Sequence, residues 1–323
     1  MIVRRLDRRR AAAINESRPR RGPTVPVAGE LAAKQALLLD ILRAQHGVLV
    51  AYSGGVDSSV LAAAAYRTLG LRALACIAVS PSLAADELAA ATALARTIGI
   101  RLRTVRTDEL EREGYAANTL KRCYVCKRVL FVRLAEVLHE EGLESIVYGA
   151  NLDDGGDYRP GARAAVEAGV RAPLVEAGLT KVDVRALARA YGLPNWDKPA
   201  APCLASRIPY GQRVTLEKLR QLEAAERIVR ELGFRECRVR HHGDVARVEV
   251  LPVQLERAAV PEVREAIVRG LQRLGFNYVA LDLQGYRSGS LNEVLASEAT
   301  RSIRRPLPIF TGVPNAGRER PDG

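Results

Sequence analysis

The sequence predicts an α/β protein in which a parallel sheet carries helices on both faces, followed by a smaller α+β domain. Three observations lead there. Short apolar runs alternate with helix-period segments from residue 30 to about residue 151. The first of these runs, Val48–Tyr52, passes directly into the turn SGGVDSS and then into a helical stretch. From Pro194 the pattern changes: PNWDKPAAPCLASRIPYG holds four prolines in eighteen residues, and a new series of helices and strands follows.

The elements follow in order. Glu30–Gln45 reads as a helix, with Leu31, Leu38 and Leu42 at helical spacing. Gly47 breaks it and Val48–Tyr52 is a strand. Ser58–Leu69 is the next helix, stopped by Gly70. RALACIAVS (72–80) is a buried strand, AADELAAATALARTIG a helix, and IRLRTVRT a strand. A helix over 127–141 precedes the strand SIVYGAN (145–151). Thr180 reads as an N-cap with Asp183 at N3, placing Lys181 in a first turn. The second domain is expected to hold a helix (215–232), strands within 235–251, a helix (261–274) and a strand (277–283). The resulting division is a basic arm (1–29), an α/β domain (30–205), an α+β domain (206–295) and a tail (296–323).

Composition narrows the class. A chain of 323 residues, 48% apolar, has material for a large core. It has no charge-free apolar run of membrane-spanning length, and no apolar segment follows MIVRRLDRRR as a secretory signal requires. The expectation is a cytoplasmic protein with no membrane partner. The formal net charge is +12, and the first 21 residues hold eight arginines against Asp7 and Glu16. That arm is read as a disordered extension. The remaining mild excess suits a phosphate-bearing small molecule, and no aromatic-rich RNA-binding module is visible, which disfavours a nucleic-acid partner. The five cysteines, Cys76, Cys123, Cys126, Cys203 and Cys237, are an odd count that argues against a disulfide framework.

SGGVDSS carries the first chemical signal. It lacks the spacing of a Walker A loop and of a dinucleotide-binding glycine motif. Gly54 and Gly55 permit a sharp turn and close backbone approach to a ligand. The following helix aims unpaired N–H groups and its positive dipole end into that turn. With Ser53, Val56, Ser58 and Ser59, the stretch suits a pyrophosphate. Asp57 would repel phosphate unless it holds a Mg²⁺ that bridges it. The plainer alternative is a strand–helix turn with Asp57 as its cap. S-G-G-x-D-S after an apolar strand resembles the PP-loop ATP pyrophosphatases, which split ATP between the α and β phosphates and activate a carboxylate or carbonyl oxygen as an adenylate. By that resemblance Val79 and Ser80 lie where the adenine cleft opens, at the carboxyl ends of the strands.

AYSGGVDSS, RCYVCK, GANLDDGGDYRPG, KPAAPCLASRIPYG and LDLQGYRSGSLNE occur in that order, and together they resemble the LarE family of ATP-dependent sulfur transferases over about residues 31–295. The resemblance implies adenylation of the two carboxylates of pyridinium-3,5-biscarboxylic acid mononucleotide and their conversion to thiocarboxylates, a step in nickel-pincer nucleotide cofactor synthesis. It implies Cys203 as the sulfur-bearing catalytic cysteine, either sacrificed to dehydroalanine or joined with Cys123 and Cys126 as ligands of a [4Fe–4S] cluster whose open iron carries the transferred sulfide. The cluster form needs an external sulfur donor for reloading, and the family implies a homo-oligomer. The C-x-x-C alone also fits a zinc half-site or a redox pair. Ser206 and Arg207 suit a nucleotide phosphate or the adenylated intermediate. Arg238 and Arg240 share one face of a strand and are expected to bind substrate phosphate or carboxylate, with Glu226 ordering them; a solvated basic edge is the alternative. Cys76 reads as core, and Cys237 has no assigned role. The loop acids at 153–161 are either solvated, or make a second metal contact or order Arg159 and Arg163. Tyr286, Arg287 and Ser288 either close the substrate site or form a subunit contact. A tRNA thiolase, an ATP-dependent amidating ligase of the NAD or GMP synthetase kind, and a non-enzymatic ATP-binding or iron–sulfur carrier are the competing readings.

Overall fold

A computed structural model describes residues 29–156 and 160–287. The expectations for the arm, the tail, Asp157, Arg159 and Ser288 lie outside the described residues.

The first half builds a four-stranded parallel sheet. α1 (Glu30–Arg43) leads into β1 (Val48–Ala51), α2 (Val56–Leu69), β2 (Ala73–Val79), α3 (Ala85–Ile98) and β3 (Arg101–Arg106). A short α4 (Glu113–Ala116) and the long α5 (Arg122–Glu140) precede β4 (Ser145–Tyr148), then α6 (Pro160–Glu167), α7 (Pro173–Glu176) and α8 (Lys181–Ala190). The strand order is β3-β2-β1-β4, all parallel. Alternation along the strands explains the layering. Val48, Val50, Ala73, Ala75 and Ile77 face one side and pack with Leu38, Leu42, Val60, Leu61 and Leu187. Leu49, Leu74 and Cys76 face the other and pack with Phe131, Leu134 and Val137 of α5. Cys76 is thus a core residue, and burial raises its thiol pKa to about 11.

The second half forms a three-stranded mixed sheet. α9 (Leu216–Glu231) precedes β5 (Cys237–His242) and β6 (Val245–Val250), an antiparallel pair. α10 (Leu255–Ala259) and α11 (Pro261–Gln272) lead to β7 (Tyr278–Leu281), which runs parallel to β6. Leu219, Leu222 and Val229 of α9 and Ile267 and Leu271 of α11 pack on Val239, Val248 and Val250. Cys237 lies in this core, its pKa raised by burial to about 12. The same core takes in Leu204, Ala205 and Tyr115 and touches Val125 and Cys126. The two sheets therefore share an apolar seam that runs through the start of α5 and the loop after Pro199.

The sequence reading does not anticipate the short helices α4, α6, α7 and α10, and it misplaces one helix start. The sequence places the helix start at residue 127, after the C-x-x-C; the structure starts α5 at Arg122. Nothing in RCYVCK breaks a helix, and the amide of Val125 already donates to Lys121 O at 3.1 Å. Cys123 and Cys126 consequently lie three residues apart on one helical face.

Candidate active site at the open end of the parallel sheet

The turn between β1 and α2 is built from closely packed glycines and the uncapped start of a helix. Gly54 has φ 72°, and an added Cβ there would sit 2.6 Å from the Ala91 Cβ. Gly149, at the end of β4, approaches so closely that a Cβ would sit 2.6 Å from the Ser58 amide nitrogen. No side chain caps α2, which leaves its first amides facing the turn. The hydroxyls of Ser58 and Ser59 donate to Gly55 O at 3.1 and 2.8 Å, and Ser53 Oγ lies 3.1 Å from Ser58 Oγ. Ser58 and Ser59 are buried. Their hydroxyls shape the turn, whereas Ser53 is exposed at its mouth. Asn195 closes the far side, donating to Gly54 O at 3.1 Å and Ser59 Oγ at 3.2 Å.

Asp57 stands at the first turn of α2 with both oxygens engaged. Oδ1 accepts from Asn151 Nδ2 at 3.0 Å, and Oδ2 forms an ion pair with Lys181 Nζ. Lys181 is held there by its own helix start. Thr180 caps α8 through a reciprocal capping box with Asp183, as expected, and the Lys181 amide donates to Asp153 Oδ2 at 2.8 Å. Asp154 Oδ2 accepts from the Asn151 amide at 3.1 Å. The acids of the 153–161 loop thus order Asn151 and α8, while Arg163 pairs with Glu167 at 2.7 Å. Among the described residues no three His, Cys, Asp or Glu side chains are grouped as a metal site. Mg²⁺ takes one or two carboxylates and keeps several waters, so Asp57 on a phosphate turn fits it.

Val79 and Ser80 end β2 beside this turn. Ser80 Oγ lies 2.8 Å from Ser82 Oγ, and Ser82 O accepts the Leu204 amide at 2.9 Å. That bond ties the Cys203 loop to the open end of the sheet. Cys203 itself is exposed, at the start of the 3₁₀ turn Leu204–Arg207.

Four arginines hold this loop by its carbonyls. Arg207 donates to Pro202 O, to Cys203 O at 3.0 Å and to Ser206 Oγ at 2.9 Å. Arg240 donates to Ser206 O at 2.9 Å, Arg122 to Ala205 O at 2.9 Å, and Arg238 to Ala200 O at 3.5 Å. Arg207 is 4% exposed and pairs with Glu226 at 2.8 Å; Arg240, 7% exposed, pairs with Glu249 at 2.9 Å. The sequence reading sets Ser206, Arg207 and Arg240 on the substrate. The structure instead encloses them behind the loop, because a buried guanidinium requires a counter-ion and Glu226 and Glu249 lie opposite. Glu226 orders Arg207 and also accepts from the Val239 amide at 3.3 Å. Arg238 is the half-buried member of the group, with its guanidinium 5.1 Å from the centre of the Tyr286 ring. Burial and the Arg207 charge lower its pKa. Tyr286 is fixed by its amide, which donates to Val250 O at 2.7 Å.

The three cysteines come from two places, the first turns of α5 and the loop after Pro199. Cys123 is exposed and Cys126 is half-buried. Burial raises the Cys126 pKa to about 12, with further upward contributions from Cys203, Glu109 and Cys123. Thiolates are the donors that an iron–sulfur cluster requires, and a cubane separates its ligands more widely than one ion does. The donor set fits that group in kind, although the thiols are not bunched as single-ion ligands.

Several contributors carry no sequence signal of their own. Asn151 and Asn195 are lone amides in loops. Asn118, fully buried at φ 54°, donates to Ile208 O, Pro209 O and Gln212 O at 3.1, 2.8 and 3.0 Å. Asn tolerates that backbone conformation better than other non-glycine residues, which is the one hint its identity gives.

An anion-cradling turn and an exposed, arginine-tied thiol at one end of a parallel sheet define an ATP-using transferase. No family model matches the chain. It is 38% identical over 266 residues to the pyridinium-3,5-bisthiocarboxylic acid mononucleotide synthase of Lactiplantibacillus plantarum, covering 82% of this chain and 96% of that protein. It is 46% identical over 247 residues to an uncharacterized protein of Synechocystis sp., covering 76% and 92%. An uncharacterized protein of Methanocaldococcus jannaschii is 26% identical over 245 residues, covering 75% and 91%. The chain belongs to the LarE family of sulfur transferases. Among the described residues no helix is long and apolar enough to cross a membrane.

Proposed function

We propose that the protein is an ATP-dependent sulfur transferase acting on pyridinium-3,5-biscarboxylic acid mononucleotide. The observation that carries the reading is the near full-length match to the Lactiplantibacillus synthase, joined to Cys203 at the same sheet end as the phosphate turn. In the first half-reaction, the turn from Ser53 to Ser59 binds the ATP phosphates through the α2 amides. Asp57 would hold Mg²⁺, which supplies charge neutralisation at the phosphates. A substrate carboxylate oxygen bonds to the α-phosphorus, the α–β anhydride breaks, and pyrophosphate leaves. Lys181, beside Asp57, offers a second cation to that leaving group.

In the second half-reaction a sulfur nucleophile attacks the acyl adenylate and AMP departs. Arg238, the half-buried cation beside Tyr286, is the candidate for the substrate phosphate. Cys123, Cys126 and Cys203 would hold a [4Fe–4S] cluster that, when bound, supplies sulfide and is replenished by an external donor. A second reading rests on the wide placement and exposure of Cys203. There the Cys203 sulfur itself forms the thioester; loss of its Cα proton and cleavage of Cβ–S then release the thiocarboxylate and leave dehydroalanine. The assembly is taken to be a homo-oligomer, after the family.

Anaerobic incubation with Mg-ATP, the biscarboxylate nucleotide and sulfide tests both readings. AMP, pyrophosphate and more than one thiocarboxylate per chain are expected, with the protein mass unchanged. A loss of about 34 Da, the mass of H₂S, in every spent chain selects the sacrificial route. ADP and phosphate as products overturn the reading altogether.

A further inference from the structure

Arg122 begins the helix that carries the C-x-x-C, directly before Cys123. Its side chain is 3% exposed. Unlike Arg207 and Arg240, it has no carboxylate partner among the described residues. One Nη1 atom serves two acceptors, Asn118 Oδ1 and Ala205 O, and its buried Nε has no partner. Its guanidinium lies 5.5 Å from the Tyr210 ring centre.

A buried cation without a counter-ion is costly, as is the charge left behind when one partner of a buried pair is removed. Such a charge persists where an anion joins it in the working protein. Cys123 and Cys126 lie on one of the two segments that the Arg122 hydrogen bond joins, and Cys203 on the other. Ala205 is two residues after Cys203, so the bond to its carbonyl spans from the C-x-x-C helix to the Cys203 loop. Asn118 strengthens the clasp, binding Arg122 with its oxygen and the carbonyls of Ile208, Pro209 and Gln212 with its nitrogen.

We propose that Arg122 is a positioning residue that locks the C-x-x-C helix to the Cys203 loop and places a buried positive charge beside the three-cysteine site. The proposal rests on the reading of Cys123, Cys126 and Cys203 as one site. It assigns no reacting atom to Arg122.

The test uses the full chain without cluster, and Arg122→Gln and Arg122→Lys. A short thiol-bridging reagent, dibromobimane, is applied, and peptides joining Cys203 to Cys123 or Cys126 are quantified by mass spectrometry. Iron retained after anaerobic reconstitution with Fe²⁺ and sulfide is measured in parallel, and circular dichroism checks folding. Wild type is expected to bridge. R122Q should bridge about tenfold more slowly, the effect of losing one charged hydrogen bond, and retain little iron. R122K, which keeps the charge, should recover both to within about threefold of wild type. A role in packing alone leaves R122K as impaired as R122Q, since both lose the planar fork, and that result overturns the charge assignment. If R122Q does not fold, a folded R122K that fails to bridge has the same force. A wild type that never bridges refutes the convergence of the thiols. A wild type that bridges but holds no iron removes the cluster reading and leaves the Arg122 clasp standing on the bridging data.

Discussion

The turn at Ser53–Ser59 and the loop at Ala200–Arg207 are tied to the same open end of the parallel sheet and are built on opposite plans. The turn is local: its shape comes from Gly54, from hydroxyls that bond within five residues, and from the uncapped end of α2. The loop has little local structure of its own. Its carbonyls are held by Arg122, Arg207, Arg238 and Arg240, three of them more than thirty residues distant from what they hold. Backbone geometry suits a fixed polyanion, since amides and a helix dipole are rigid donors. A loop pinned by long side chains suits an exposed thiol that must meet a separate reactive group, because its position is set by both sheets at once.

The difference has measurable consequences, beginning with the largest. Asp57→Ala removes the proposed Mg²⁺ ligand from the turn and should lower ATP cleavage by roughly 10²–10³, read as pyrophosphate release. The fold should survive, since Lys181 is partly exposed and can rehydrate. Arg207→Met strikes the other plan. Among the described residues it leaves Glu226, 2% exposed, with Arg230 at 3.4 Å and the Val239 amide. A loss of about 3 kcal/mol in urea unfolding is expected, along with faster protease cleavage near Cys203. Equal unfolding midpoints for mutant and wild type would show that the loop does not depend on its arginines.

Gly54→Ala tests the local plan by sterics. The residue has φ 72° and no room for a Cβ against Ala91. A cost of about 2 kcal/mol and weakened nucleotide binding should appear by calorimetry. The smallest effect belongs to the cap that presents Lys181. Thr180→Ala should cost about 1 kcal/mol. Asp183, its partner, is buried in part, which raises its pKa, but the Thr180 amide and Lys34 outweigh this and leave it depressed. A depressed carboxyl adds stability above its unfolded pKa, about 3.9, and loses it as pH falls through the lower folded value. Asp183→Asn should therefore be less stable than wild type near neutrality and converge with it in acid; parallel curves at all pH values would contradict the assignment.

The same contrast explains what the sequence made legible. The SGGVDSS turn, the alternating strands and the Thr180 capping box are encoded over a few residues, and pattern reading finds them where the structure has them. The loop was legible only as a proline-rich word containing Cys203. The sequence reading gives Arg207 and Arg240 to substrate anions and has Glu226 order Arg238 and Arg240; Glu226 on α9 instead pairs with Arg207 and Glu249 on β6 with Arg240, pairings set by tertiary packing alone. The helix start at Arg122 was missed for a related reason. Tyr124 and Val125 extend α5 by packing on two different apolar clusters, a gain no local propensity reports.

Separating the half-reactions tests the central claim most directly, that the turn activates and the loop delivers sulfur. Pyrophosphate exchange into ATP and thiocarboxylate formation are to be measured together, with the biscarboxylate nucleotide present, in wild type, Asp57→Ala and Cys203→Ser. The account predicts that Cys203→Ser retains substrate-dependent exchange and makes no thiocarboxylate, whereas Asp57→Ala loses both. Thiocarboxylate from the Cys203→Ser protein, or undiminished exchange by Asp57→Ala, would contradict it.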